Sequence, residues 1–357
     1  NVQTDLSFPD HDSYVSFIEN LLKRAGKECT TATPIVDAAV DRSIRACVTH
    51  ESFSPPGSGP MITLRISRHK DISLNALHKS SLAPLSLLKY LEYVAASGTA
   101  TILLAGEVGT GKTTLARALA HSIPAEEAIV VIEDTHEITL TRQFVRTLLT
   151  REANSEGAGR IVPADAIRTG MRMAMNRIIL GEMRDPEAAI SFVDVCASGH
   201  AGLSTIHSRS ARDAISRLEL FLLRGQPGVG IETIRRQIAN AVGVVVHLGL
   251  DQITHQRRIL EILEIGTYAD GAVQISPIFR FVDGFTEPTW RRESGVSQFQ
   301  MLLADRNVTL PPSGASIPIG PSAPNDRNDV ESSFRINPRQ DKSKLKMSWD
   351  SFRGTSL

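Results

Sequence analysis

Residues 99–123 read TATILLAGEVGTGKTTLARALAHSI, and the change of texture along them decides the fold. Ile102 to Ala105 are apolar without interruption, as in a strand buried on both faces. A glycine-rich turn follows, and then Thr113 to Ser122 carry apolar residues at helical spacing. Inside this strand–turn–helix, GEVGTGKT fits G-x-x-x-x-G-K-[ST] from Gly106 to Thr113. Gly106 and Gly111 let the backbone fold tightly around an anion with its amides pointing inward. Lys112 is suited to the β- and γ-phosphates of a nucleotide, and the Thr113 hydroxyl to Mg²⁺. The helix directs its positive end at the same phosphates. Gly109, Thr110 and Thr114 complete the stretch expected to bind ATP. The plain alternative is a flexible turn beside a surface lysine, and the strand before and helix after argue against it.

The neighbouring sequence extends the same pattern. AIVVIED (128–134) and NRIILGE (176–182) stay apolar until their C-terminal ends, which predicts a parallel sheet with helices on both sides. APLSLLKYLEYVAASG (83–98) predicts a helix closed by Gly98, and 213–225 and 231–242 predict two more. Upstream, PDHDSYVSFIENLLKRAG (9–26) predicts a helix capped by Asp12 or Ser13 and ended by Gly26. Strand material and turns follow to about Lys79. The expected organisation is a small α+β domain over 1–80, an α/β nucleotide-binding domain over 81–285, and a tail over 286–357. LPPSGASIPIGPSAPNDRND (310–329) is rich in Pro and Ser and predicts a largely disordered tail. The chain begins without methionine and reads as entering mid-domain, so the small domain is expected to be incomplete at its start.

Lys plus Arg and Asp plus Glu number 39 each, so no global basic field favours nucleic acid. The three cysteines, Cys29, Cys47 and Cys196, are far apart and fit a reducing compartment with inert thiols. The apolar run AVGVVVHLGL (241–250) is too short to span a membrane, and the N-terminus lacks a signal pattern. A cytoplasmic protein is expected, touching a membrane only through a partner.

Phosphoryl transfer to water needs an acid near Mg²⁺ and a group that positions the attacking water. RIILGEM (177–183) puts Gly181 where a Walker B strand has aspartate, and Glu182 follows as the first acid at that strand end. A second cluster, Glu133, Asp134 and Glu137, ends another strand. The assignment favoured is Glu137 and Glu182 for catalysis and Glu133 for the metal environment, although spacing does not divide the roles. Asp134 is equally suited to capping a turn, and Glu182 to a plain surface position. SGHAGLSTIHS (198–208) holds two histidines without partners for a metal site or a hydrolytic triad. A strand ending at His207 beside the Glu182 strand would make this imidazole a nucleotide sensor. The alternative is a core histidine, which is the preferred reading of His200.

Four boxes in order now carry a resemblance: GEVGTGKTT, IEDTHE, RIILGEMRDPEA, and TIH preceded by GHAG. Together they resemble the secretion ATPases of type II and type IV secretion systems and type IV pili, over about Phe8 to Phe281. REANSEGAGRI (151–161) and DAISRLE (213–219) resemble the Flp/Tad pilus and conjugation-type branches. PIVDAAVDRSIRA (34–46) and GPMITLRI (59–66) resemble the family's N-terminal domain. Departures are Ala39 where arginine is common, a missing aspartate-glycine turn, and MNRII (175–179) where a proline-aspartate pair usually precedes the strand. The resemblance implies a RecA-like P-loop NTPase domain, a homohexameric ring, and ATP with Mg²⁺ between the domains. It also implies that N-terminal arginines reach the γ-phosphate. Arg65 matches one such position; Arg45 is a second candidate, or a salt-bridge partner on the sheet face.

The function implied is a motor for pilus assembly, conjugation or secretion, working with an inner-membrane platform or channel protein. A nucleic-acid translocase is the alternative, with Arg142, Arg146, Arg151, Arg160, Arg168, Arg172 and Arg177 lining a pore. A non-hydrolysing scaffold is the third reading, prompted by Gly181. The basic segment Arg335 to Lys346 would be a solvated tail or a docking element.

Overall fold

The computed structural model describes residues 7–320 except 42–43, 56, 67–71, 152, 154–157, 283–286, 294 and 307. The tail beyond 320, with its basic run, lies outside the described residues. The chain opens with helix α1 (His11–Arg24). Its cap is Asp10 rather than Asp12 or Ser13: the Asp10 carboxylate accepts from Ser13 N at 2.7 Å, three residues along, where a free first-turn amide waits. Ile18 and Leu22 of α1 pack on Val36, Ala38, Ala46 and Val48. These alternate along β1 (Ile35–Ala39) and β2 (Ile44–Thr49) because strand side chains switch faces at each residue. With β3 (Met61–Ile66) they form an antiparallel sheet in the order β1-β2-β3.

Helix α2 (Leu74–Lys79) belongs by packing to the larger core: Leu74 and Leu77 join the cluster of α3 (Leu85–Ser97). Gly98 ends α3 with φ +70°, as its spacing predicts. A Cβ there would also collide with the Arg177 guanidinium at 2.3 Å. Beyond it lie β4 (Ile102–Gly106), α4 (Lys112–Ala120), β5 (Ile129–Glu133), β6 (Val145–Leu149) and α5 (Pro163–Met171). Next come β7 (Arg177–Met183), α6 (Pro186–Ala197), β8 (Gly202–Ile206), α7 (Ala211–Gly225) and α8 (Ile231–Ala241). The chain then runs antiparallel through β9 (Val244–Leu250), β10 (Arg257–Ala269) and β11 (Ala272–Val282).

The strands join in one sheet, whose parallel part has the order β9-β4-β8-β7-β5-β6. Every residue of β4, β5 and β8 is buried. Apolar clusters cover both faces, one built on α3 and α4 and the other on α6, α7 and α8. This is the α/β architecture expected.

Residues 287–320 depart from the expectation of disorder. Strands β12 (Thr289–Arg292) and β13 (Ser316–Pro318) extend the same sheet beyond β11, and helix α9 (Gln300–Asp305) lies between them in the chain. Trp290 is completely buried, donates from Nε1 to Ile259 O at 2.6 Å, and packs against Phe281. Phe299 and Leu303 close over the core beside it. A few large apolar residues suffice here because an existing sheet supplies the remaining surface, which composition alone does not reveal.

Candidate functional site

The phosphate loop lies at the C-terminal end of the central strand β4, where open α/β sheets hold their ligands. Gly106 is forced: its φ is +153°, and a Cβ would lie 2.3 Å from Leu248 O. Gly111 has φ +98° and precedes α4 directly. Lys112 Nζ donates to Gly106 O and Glu107 O, both at 2.8 Å. Burial pushes its pKa down, against the opposing pull of Glu182 and Glu107.

A cleft of about 660 Å³ opens over the loop. Gly109, Gly111, Lys112, Thr113 and Thr114 line it, and Glu133, Glu137, Glu182, His207, Arg45 and Arg65 line the rest. The expected site residues therefore converge, with two exceptions. Gly106 stands behind the wall against Leu248, and Thr110 turns its hydroxyl into the loop to donate to Glu107 O at 2.9 Å.

A chain of polar contacts crosses the cleft floor. Lys112 Nζ is 3.3 Å from His207 Nδ1, and His207 Nε2 is 2.8 Å from Glu182 Oε1. Arg184 then joins Glu182, at 2.7 Å, to Asp134, at 2.6 Å. Thr150 Oγ1 closes the chain by donating to Asp134 at 2.6 Å. Glu182 raises the Arg184 pKa through its hydrogen bond. Asp134 is therefore an anchor for Arg184, a residue that sequence reasoning missed. Its only signal was its place two residues after the acid at the strand end.

Local structure explains the glycine in the Walker B position. A Cβ at Gly181 would press on Glu133 Cγ at 3.2 Å. The Gly181 carbonyl accepts from Thr205 Oγ1 at 2.8 Å, and the pairing of β7 with β8 shifts between Leu180 and Met183. That irregularity sets Glu182 at the cleft.

Glu133, read in the sequence as part of the metal environment, lines the cleft and also binds backbone. Both carboxylate oxygens accept from the backbone N–H groups of Glu137 and Ile138, at 3.0 to 3.3 Å. The carboxylate thus holds the turn that presents Glu137. Desolvation raises its pKa to about 7, although those backbone bonds pull the other way. Glu137 in turn pairs with Arg65 of β3 at 2.6 Å. Arg45 stands directly opposite Arg65 in the β2–β3 register, so both arginines of the small sheet face the cleft.

His200 is half-buried in the turn before β8, where its N–H donates to Val195 O. Gly199 has φ +102° in that turn, while Gly202 is needed for space, since a Cβ would strike Cys196 Sγ and Phe192 Cζ at 2.6 Å. Two arginines offered for a pore are committed internally. Arg142 binds the carbonyls of His121 and Ile123, and Arg177 is buried on Glu127, Ala95 O and Ala96 O.

Among the described residues no cluster of three or more His, Cys, Asp and Glu forms a metal cage. The donors present fit a cation held largely by phosphate and water instead. The Thr113 hydroxyl heads α4 at the cleft, and the Glu182 carboxylate lines the same cleft with Oε1 2.8 Å from His207 Nε2. No helix among the described residues is long and apolar enough to cross a membrane.

Known proteins resemble the chain in sequence and in fold. A Mycobacterium tuberculosis protein provisionally named for conjugal transfer is 27% identical over 291 residues, covering 80% of this chain and 81% of its own. The type IV secretion system protein VirB11 of Brucella suis is 38% identical over 152 residues, 41% of this chain and 42% of VirB11. The structure of the Legionella pneumophila ATPase DotB matches 71% of this chain and 69% of its own with a TM-score of 0.50, at 17% identity, a likeness of fold. The family model for type II/IV secretion system proteins matches residues 39–266, well over half of the chain, and the protein belongs to that family.

Proposed function

We propose that the protein is an ATPase that powers pilus assembly, conjugation or protein secretion from the cytoplasmic face of a membrane. It would work as a homohexameric ring docked on a membrane platform or channel protein. The observation that carries this reading is the contact chain Lys112–His207–Glu182 at the mouth of the phosphate loop. Lysine grips the phosphates, the carboxylate handles water, and the imidazole between them senses both. Family membership and the ATPase and secretion names of the relatives support it.

In this scheme the loop amides and Lys112 bind the β- and γ-phosphates of ATP. The Thr113 hydroxyl would hold Mg²⁺, which neutralises phosphate charge when bound; Glu133 acts at one remove through its turn. A water attacks the γ-phosphorus as one of its protons passes to Glu182 or Glu137; the bond from that phosphorus to the β–γ bridging oxygen breaks, and ADP leaves with the bridging oxygen. Arg65, kept at the cleft by Glu137, moves onto the γ-phosphate as the small sheet closes, where a guanidinium stabilises the spreading charge.

The test is phosphate release from Mg-ATP in the presence of lipid vesicles. Wild-type protein turns over, and Lys112→Ala reduces the rate about 100-fold or more, in the range expected for loss of a transition-state charge contact. Equal rates in the two proteins would sink the proposal. Turnover lost in Glu182→Gln separates it from a non-hydrolysing scaffold.

A further inference from the structure

A phosphate loop that turns its N–H groups toward an anion must turn its carbonyls outward, and those carbonyls need donors of their own. Lys112 serves Gly106 O and Glu107 O. The next outward carbonyl, Gly109 O, is served from outside the motif: Arg257 Nε donates to it at 2.8 Å from the start of β10. The Arg257 stem passes over Gly111, where even a Cβ would come within 3.6 Å of Arg257 Cδ. Because a trans peptide is planar, fixing Gly109 O also fixes the opposite direction of the Thr110 N–H. That N–H has no backbone acceptor among the described residues.

Arg257 projects from a firmly built turn. Between β9 and β10, Asp251 accepts from Ile253 N at 2.9 Å and Thr254 Oγ1 at 2.6 Å, and Asp251 N donates to Gln256 O at 2.8 Å. The next residue, Arg258, is buried, approaches Asp251 at 3.9 Å and donates to Ser81 O and Gln256 Oε1. Ile259 N then donates to Leu82 O at 2.9 Å. Ser81 and Leu82 join α2 to α3, on the path from the small sheet to the large one. Three consecutive residues thus tie the phosphate loop to this connection.

We infer that Arg257 is a positioning residue that aims the Thr110 amide at nucleotide phosphate, and that the β9–β10 turn carries loop occupancy to the α2–α3 connection. The inference rests on the nucleotide reading of the site. Arg257 is exposed, so its replacement leaves folding intact.

Arg257→Met and Arg257→Lys in the full chain test it, through Mg-ADP affinity by calorimetry and hydrogen exchange of the Ile259 amide. In wild type, saturating Mg-ADP slows exchange at Ile259. Both variants bind Mg-ADP about tenfold more weakly, since a lysine lacks the planar Nε donor. In Arg257→Met, saturating Mg-ADP leaves Ile259 exchange at its nucleotide-free rate. Wild-type affinity in both variants, or full recovery by lysine, overturns the inference while nucleotide binding stands. If the wild type itself binds no Mg-ADP, the reading of the site falls and takes the inference with it.

Discussion

His207 touches two groups with opposite needs: a lysine that must stay charged to hold phosphate and a carboxylate that must stay free to take a proton. An imidazole can accept from one neighbour and donate to the other, which no alanine can do. We expect His207→Ala to lower ATP turnover about tenfold or more while changing Mg-ADP affinity far less, the pattern of a contact that matters mainly in the transition state. Steady-state phosphate release with calorimetry on the same samples checks it, and full turnover in the variant would remove the sensor role. The position of Glu182 was legible because it is the acid that closes an apolar strand, and that of His207 because TIH preceded by GHAG matches a box of the family the chain resembles. Arg184 and Arg257 were not, since an arginine's long stem lets it act far from its own position in the chain. Glu133 was legible as a strand-end acid, but its commitment to two backbone amides belongs to a turn whose path only the structure supplies.

At the scale of elements, the same contrast separates the parallel strands from the late ones. Strands β4 and β5, and β7 over Ile178 to Leu180, announce themselves because burial on both faces removes nearly every polar residue, whereas β8 keeps Ser204 and Thr205 although both are buried. Strand β12 carries threonine, tryptophan and two arginines, a sequence that composition assigns to solvent. Yet Trp290 is fully enclosed, and its indole satisfies Ile259 O. Trp290→Ala should therefore lower the unfolding free energy by about 4 kcal/mol, the cost of a large core cavity plus an unpaired carbonyl. Urea denaturation followed by circular dichroism measures it. A loss under about 1 kcal/mol would mean that residues 287–320 are peripheral to the core. The α1 cap shows a smaller displacement: the helix was legible, while its first residue depended on which of several acceptors reached a free amide.

For the molecule as a whole, the small sheet has a core of its own and presents Leu64 and Ile66 outward on one face of β3, while α7 exposes Leu220 and Leu223. Apolar surface of this kind is what a ring assembly would cover. Light scattering should give six times the mass of one chain with nucleotide present; a monomer at every concentration, with and without nucleotide, would contradict the ring. The topology of the large sheet has another consequence, in the order of synthesis. The strand that bears the phosphate loop is made early, but its neighbours on either side, β8 and β9, are made about one hundred and one hundred and forty residues later. Gly106 takes its shape against Leu248. A nascent chain therefore carries the whole nucleotide motif long before it can form the site, and the growing protein stays catalytically silent until β9 has left the ribosome.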